Sequence, residues 1–296
     1  MDVSVIVPCR GAAAFVPKMV EMLCAQDFGG EWEAVFVDDG DEDVSWHAAV
    51  ESAGMRLLVR PRLGVSAARN AGLDASAGEI VLFVDADDEI DAGYVGRMYA
   101  AADGVDFAWG DAEVVGEDGR ASSTRSAGSP AAGSVLEGES IRDFVWRRCF
   151  GYRLGDLALM PLPGGMWRHC GRELGGVWAR AFRRSAIGDL RFVEGLRNAE
   201  DSIFLCAFAA RAATMRVAGP SGYRYRPRRD GALAVENRGL KKLESKFALR
   251  DARRSLDPAM SHWRGTFVLS ALEVLRLGGV GAALRYLRGN PLRTAP

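Results

Sequence analysis

The sequence predicts an α/β fold, a mostly parallel sheet flanked by helices and followed by a basic helical carboxyl-terminal extension. Three observations carry this. Apolar, β-branched runs end abruptly in acid or proline, at VSVIVP (3–8), AVFVDD (34–39) and EIVLFVDAD (79–87). Stretches with helical periodicity separate them. The charge also changes sign along the chain: residues 1–119 hold 7 Lys and Arg against 24 Asp and Glu, and residues 120–296 hold 31 against 15. Continuous apolar runs are the mark of strands buried on both faces, and alternation with helices makes βαβ units.

Taken in order, 3–8 is the first core strand, closed by Pro8, and residues 14–25 form the first helix. The strand 34–39 follows, then a helix over 43–53, a short strand MRLLVR (55–60), a helix over 66–75 and the strand 79–87. Residues 116–140, rich in Gly, Ser and Ala, read as an exposed loop. A helix is expected near 140–150, a Gly- and Pro-rich passage at 161–176, and a strand entering a short helix at GGVWARAFRRSAI. NAEDSIFLCAFAARAA (198–213) reads as a helix with Asn198 as N-cap and Glu200 and Asp201 in its first turn. Basic helices run from about 237. The expected division is 1–115, 116–236 and a helical extension, 237–296.

A chain of 296 residues with 48% hydrophobic content can bury a sizeable core. Five cysteines without a CxxC pair argue against a disulfide framework and for a reducing cytosol. The amino terminus reads as a core strand, not a signal peptide, and no window spans a bilayer. No GxGxxG follows the first strand, which argues against a dinucleotide oxidoreductase. The basic charge is dispersed, and no nucleic-acid partner is expected. His47, His169 and His262 are isolated and read as structural or surface residues.

The chemistry gathers at strand ends. In open α/β sheets ligands bind beyond the carboxyl ends of the strands, where Pro8, Asp38, Asp39, Asp85 and Asp87 stand. Asp85, Asp87, Asp88, Glu89 and Asp91 lie within seven positions. Coulomb repulsion makes such a cluster costly without a cation. Hard carboxylate oxygens spaced Asp-x-Asp suit Mg²⁺ or Mn²⁺ and leave coordination positions for a diphosphate.

The order VSVIVPCR, VFVDDGDED, LGVSAARNAGLDASAGEIVLFVDADD, VWARAFRRS and FVEGLRNAEDSIF closely resembles the family 2 glycosyltransferases, the inverting GT-A group that builds bacterial polysaccharides. The resemblance covers about residues 2–230. It implies a Rossmann-like GT-A domain, with a nucleotide-sugar-binding half over 1–115 and an acceptor-binding half over 116–236. The implied activity is metal-dependent transfer of a sugar from a UDP-sugar to a glycan or lipid-linked glycan acceptor. The alternative is a catalytically silent nucleotide- or glycan-binding subunit.

Carried over by residue, the resemblance puts Pro8, Arg10, Asp39, Arg69, Asp85 and Ala86 at the nucleotide, with Asp39 accepting from the uracil N3–H and Arg69 aimed at the nucleotide or diphosphate. Asp87 would coordinate the metal, with Asp85 and Asp88 as further candidates. Asp201 would be the base and Glu200 its neighbour, orienting the acceptor or capping the helix. Adjacent helical positions point about 100° apart, so one of the two can face the sugar. Asp38 and Asn70 read as structural, Asn70 through a local hydrogen bond, and Glu89 and Asp91 as solvated. Cys9-Arg10, and Asp41 where the family usually has serine, depart from its pattern. Trp146, Trp167 and Trp178 are core aromatics or stack on acceptor sugars. Of Arg224, Arg226, Arg228 and Arg229, one meets the diphosphate. The carboxyl-terminal TFVLSALEVLRLGGVGAALRYLR mixes an apolar face with arginines. It implies either peripheral contact with the inner face of a membrane or packing on the domain or on a second subunit as a homodimer.

Overall fold

The structure, a computed structural model, describes residues 1–116, 118–125, 129–150, 176–196, 200–227, 239–256 and 264–289. Asn198, Trp167, His169, Cys170, His262, Arg228 and Arg229 lie outside them. The chain divides into two compact units: Met1–Ile141, Gly176–Gly195 and Phe208–Pro227 in one, and Arg142–Gly175, Leu196–Ala207 and Arg228–Pro296 in the other.

The first unit holds the sheet. Its early elements are β1 (Val3–Cys9), α1 (Val16–Cys24), β2 (Trp32–Asp38), α2 (His47–Ser52), β3 (Arg56–Val59), α3 (Val65–Ala75) and β4 (Ile80–Phe83). The apolar runs become strands because both faces are covered: in β1 six of seven residues are buried, and in β4 all four. Pro17 starts α1, where a missing N–H costs nothing. There follow β5 (Glu89–Ile90), α4 (Tyr94–Ala101), β6 (Phe107–Val115), β7 (Ala121–Ser123) and β8 (Val135–Glu137). After the helix α5 (Glu139–Phe150) come β9 (Arg180–Arg183), α6 (Arg184–Ile187), α7 (Glu200–Ala209) and β10 (Thr214–Tyr225).

The sheet runs β3-β2-β1-β4-β9-β6-β10-β5, with β7 on β6 and β8 on β10. β1 pairs in parallel with β2 and β4, β2 with β3, and β6 with β10, whereas β9 is antiparallel to both β4 and β6. Six strands therefore share one direction, β9 is inserted against them and the short β5, β7 and β8 are antiparallel additions, so the sheet is mostly parallel as expected. Phe83, Phe107, Phe182, Phe192 and Phe208 interlock beside β9 at centroid distances of 5.1–5.8 Å. The stretch read as a loop, 116–140, contributes β7 and β8, because their edges find hydrogen-bond partners on β6 and β10.

In the second unit, α8 (Gly239–Leu256) packs on α9 (Arg264–Arg288). Phe247 and Tyr286 meet edge to face at 5.3 Å. The buried Arg250 donates from Nη1 to the carbonyls of Arg285 (3.2 Å) and Tyr286 (3.0 Å), caps the carboxyl end of α9 and complements its dipole. Gly279, at φ 71°, breaks the helical path of α9.

Candidate active site

The site is built where β1, β2 and β4 end. β1 ends at the buried Cys9, and the exposed Arg10 follows it. Burial pushes the Cys9 thiol well up, and the nearby carboxylates of Asp41 and Asp38 add to it. Asp41 accepts from the amides of Gly11 and Ala12, the latter at 3.2 Å. The acid that departs from the family pattern thus clamps the turn after β1 to the turn after β2. Gly11 has φ +59°, a conformation that Cβ-bearing residues rarely adopt.

The two acids ending β2 are buried and engaged. Asp38 accepts from the Asp41 amide (2.7 Å) and lies 2.8 Å from His47 Nε2. His47 is therefore partnered, its ring set edge to face on Trp46. Asp39 accepts at Oδ1 from the amides of Leu63 (2.8 Å) and Gly64 (2.9 Å), and at Oδ2 from Gly64 (3.0 Å). It fastens the chain just before α3.

α3 supplies Arg69 and Asn70, both buried. Arg69 Nη2 donates to Asp85 Oδ1 at 3.1 Å, and its guanidinium lies over the Phe192 ring at 5.4 Å. Asn70 is not the local hydrogen bonder expected of it. It donates to the Phe192 carbonyl (3.0 Å) and to Glu194 Oε1 (3.1 Å), and accepts from the Phe192 amide (2.8 Å). A segment more than a hundred residues away is thereby tied to α3.

Beyond β4, the Asp88 amide bonds the Asp85 carbonyl at 3.1 Å and closes a turn. Asp85 and Asp87 are half-buried, Ala86 and Asp88 buried. Asp88 accepts from Tyr223 Oη (2.6 Å) at Oδ2 and from the Arg226 amide (2.9 Å) at Oδ1. Its pKa is pushed up to about 8, first by burial and then by the negative charge of Asp85, with Asp87 adding to it.

Glu89, expected to be solvated, is instead half-buried in ion pairs, whereas Asp91 is exposed and ion-paired. Glu89 meets Lys18 and Arg226 (3.0 Å), whose hydrogen bonds outweigh its partial burial and lower its pKa. Asp91 pairs with Arg97. Arg224 and Arg226 are engaged by Glu113 (3.0 Å) and Glu89. The protein thus supplies several cations to its acid knot, from α1, α3, α4 and the residue that follows β10.

Two residues were missed. Tyr223 reaches the acid turn from β10, which no local pattern announces. Arg180, buried at 1% exposure, lies 3.4 Å above the Trp109 ring and donates to the Gly110 (2.7 Å) and Ala179 (2.9 Å) carbonyls. Trp178 is a core aromatic, stacked on Tyr223 (5.2 Å) and Tyr225 (5.4 Å). In the second unit Trp146 is buried, and of the pair opening α7, Glu200 is buried and Asp201 half-buried.

The donor chemistry suits a hard cation. All the side-chain donors of the turn are carboxylate oxygens, and burial, with the negative charge of Asp85 beside it, raises the pKa of Asp88. Among the described residues no group of three His, Cys, Asp or Glu side chains converges to hold a metal. A metal here would need oxygens from its ligand as well.

The family model described as glycosyl transferase family 2 matches residues 4–157, just over half of the chain. The uncharacterized glycosyltransferase YibD of Escherichia coli (strain K12) is 27% identical over 231 residues, covering 75% of this chain and 60% of that protein. The succinoglycan biosynthesis protein ExoO of Rhizobium meliloti (strain 1021) is 29% identical over 233 residues, covering 76% and 60%. The chain thus spans about 60% of the length of each of these relatives. Among solved structures, residues 1–349 of S. aureus TarS superpose with a TM-score of 0.61 at 19% identity, covering 97% of this chain and 81% of that one. The same TarS fragment in complex with UDP-GlcNAc gives 0.56 at 21% identity, covering 98% and 72%. The fold is GT-A, and the chain belongs to glycosyl transferase family 2.

Proposed function

We propose that the chain is a metal-dependent, inverting glycosyltransferase that moves a sugar from a UDP-sugar to a surface glycan, carried on a lipid. The observation that carries this is the acid turn Asp85–Asp88 at the end of β4, bound to the buried Arg69 and separated by β1 alone from the strand that ends at the Asp38–Asp39 pair. Family membership gives the reaction class. The UDP-GlcNAc complex of TarS and the succinoglycan role of ExoO support the donor and acceptor classes.

In this reading residues 1–115 bind the donor and 116–236 the acceptor. Asp39 Oδ2, which accepts one amide, keeps a lone pair for the uracil N3–H, a proton cytosine lacks. Pro8, Arg10 and Ala86 line the nucleotide, and Arg69 holds Asp85 and faces the diphosphate. Asp87 and Asp85 would hold Mn²⁺ or Mg²⁺. Asp88, with both oxygens occupied, braces the turn. The bound cation would neutralise the departing diphosphate. Asp201 takes the proton of the acceptor hydroxyl as it attacks the anomeric carbon, and Glu200, the more buried of the two, orients the helix start. The exposed apolar side of α9 rests on an anionic bilayer at the cytoplasmic face, where a lipid-linked acceptor would be found.

Calorimetric titration of UDP, with GDP and CDP as controls and with and without Mn²⁺, tests the reading. Metal-dependent, UDP-selective binding is expected. Asp87→Asn should abolish it, whereas Asp201→Asn should bind UDP normally and lose transfer by about a hundredfold or more, as for a positioned proton-transfer group. Folded protein that binds no nucleotide would point to the silent-subunit alternative.

A further inference from the structure

β10 is an irregular strand. Its register against β6 slips on both sides of Pro220, and Gly222 takes φ +87°. The slip frees the end of the strand to pair with β5, so that Tyr223 lies opposite Ile90 and Arg224 opposite Glu89. Tyr223 is fully buried. Its ring lies flat against Trp178, at 5.2 Å and 10°, and tilted against Tyr94 at 5.7 Å. A fully buried ring packed on two aromatic neighbours leaves its hydroxyl one place. That place is inside the acid turn, where the oxygen accepts from the Asp85 amide (3.2 Å) and donates to Asp88 Oδ2 (2.6 Å).

We infer that Tyr223 is the positioning residue of the acid turn: one hydroxyl pins its first and fourth residues, so that Asp85 and Asp87 are presented outward for the donor's metal. The inference rests on the metal-dependent reading above. The donated hydrogen bond ends on a carboxyl group and so is of the stronger, charge-assisted kind whenever Asp88 is ionised. The Arg226 amide, three residues further along the same chain, donates to the other oxygen of Asp88 at 2.9 Å. The turn is therefore fixed by a strand remote in sequence. Partners of this outer kind orient metal ligands, and losing them weakens metal affinity by about ten- to a hundredfold.

The test compares Tyr223→Phe with Tyr94→Phe, which removes a hydroxyl from the same ring cluster without touching the turn's hydrogen bonds. UDP binding is titrated against Mn²⁺, and amide exchange is measured without metal. For Tyr223→Phe we expect the Mn²⁺ midpoint to rise about tenfold or more, with unchanged residual binding of UDP in chelator. Exchange should quicken over residues 85–91 and stay unchanged elsewhere in the sheet. Tyr94→Phe should leave the midpoint in place. An unmoved midpoint in Tyr223→Phe, or an equal shift in Tyr94→Phe, overturns the inference and leaves the donor reading standing. No metal dependence in the unsubstituted protein overturns the metal reading, and the role of Tyr223 toward a metal with it. Should Tyr223→Phe fail to fold, Asp88→Asn keeps the shape, takes the carboxyl group from the other end of the bond and is expected to shift the midpoint likewise.

Discussion

Asp41 shows what a sequence withholds at the scale of one residue. Read alone it adds negative charge beside a base, yet in place it ties the amides of Gly11 and Ala12 to β2. Asp88, Glu89 and Asp91 were harder still, because their partners Tyr223, Arg226, Lys18 and Arg97 come mostly from other elements. The acids themselves were legible, since oxygen ligands at a strand's end are a local pattern. Arg69 offers the sharpest residue-scale test. Its side chain is 4% exposed and meets Asp85, which is 26% exposed. Arg69→Met keeps the aliphatic volume over Phe192 and leaves Asp85 without that cation. We expect a loss of about 1–3 kcal/mol in unfolding free energy, the usual cost of stripping a charged hydrogen-bond partner. UDP binding should weaken along with it. Urea melts and the calorimetric titration read the two effects separately, and wild-type UDP affinity in the variant would remove Arg69 from the donor site.

At the scale of elements, local periodicity recovered β1, β2, β3 and β4 and the three helices between them, since buried parallel strands and amphipathic helices announce themselves. It missed β5, α4, β6 and β10. Gly219, Pro220, Ser221 and Gly222 interrupt β10 and look like a turn, but the strand continues because β6, β8 and β5 each supply partners along it. Tertiary pairing overrode local preference. The packing of α3 on β1 is set equally by one small residue. A Cβ at Gly72 would stand 2.4 Å from Ile6 Cγ2, inside contact distance. Gly72→Ala must push α3 off the strand, although alanine is the better helix former. We expect net destabilisation of about 1–3 kcal/mol from overpacking, read as a lower denaturation midpoint. Ile6→Leu in the same background moves the branch off Cβ, takes Cγ2 out of this contact and should restore part of the loss. A Gly72→Ala protein more stable than its parent would show that the contact is slack.

For the whole molecule, the acidic first part and basic second part were visible as charge counts, and the structure gives the basic part a face. Beyond the break at Gly279, Val280, Leu284 and Leu287 of α9 are 44–66% exposed, in a spacing that puts them along one side of the helix. Arg288 on α9 and Arg254 at the end of α8 are described beside that helix's carboxyl end, Arg254 Nη2 donating to the Leu287 carbonyl. Among the described residues no helix is long and apolar enough to cross a membrane. A leucine row flanked by arginines repels a like-charged second copy and attracts an anionic surface, where each arginine contributes about 1 kcal/mol. The protein should therefore sediment with vesicles containing phosphatidylglycerol and not with neutral phosphatidylcholine vesicles, and raising the salt should release it as screening shortens the reach of the charges. Leu284→Glu with Leu287→Glu should abolish sedimentation without altering UDP binding, because both lie on a face that the donor reading does not use. Sedimentation indifferent to lipid charge, or a dimer in solution that the same double variant dissolves, would assign the leucine row to a second copy of the chain and take the bilayer out of the proposal.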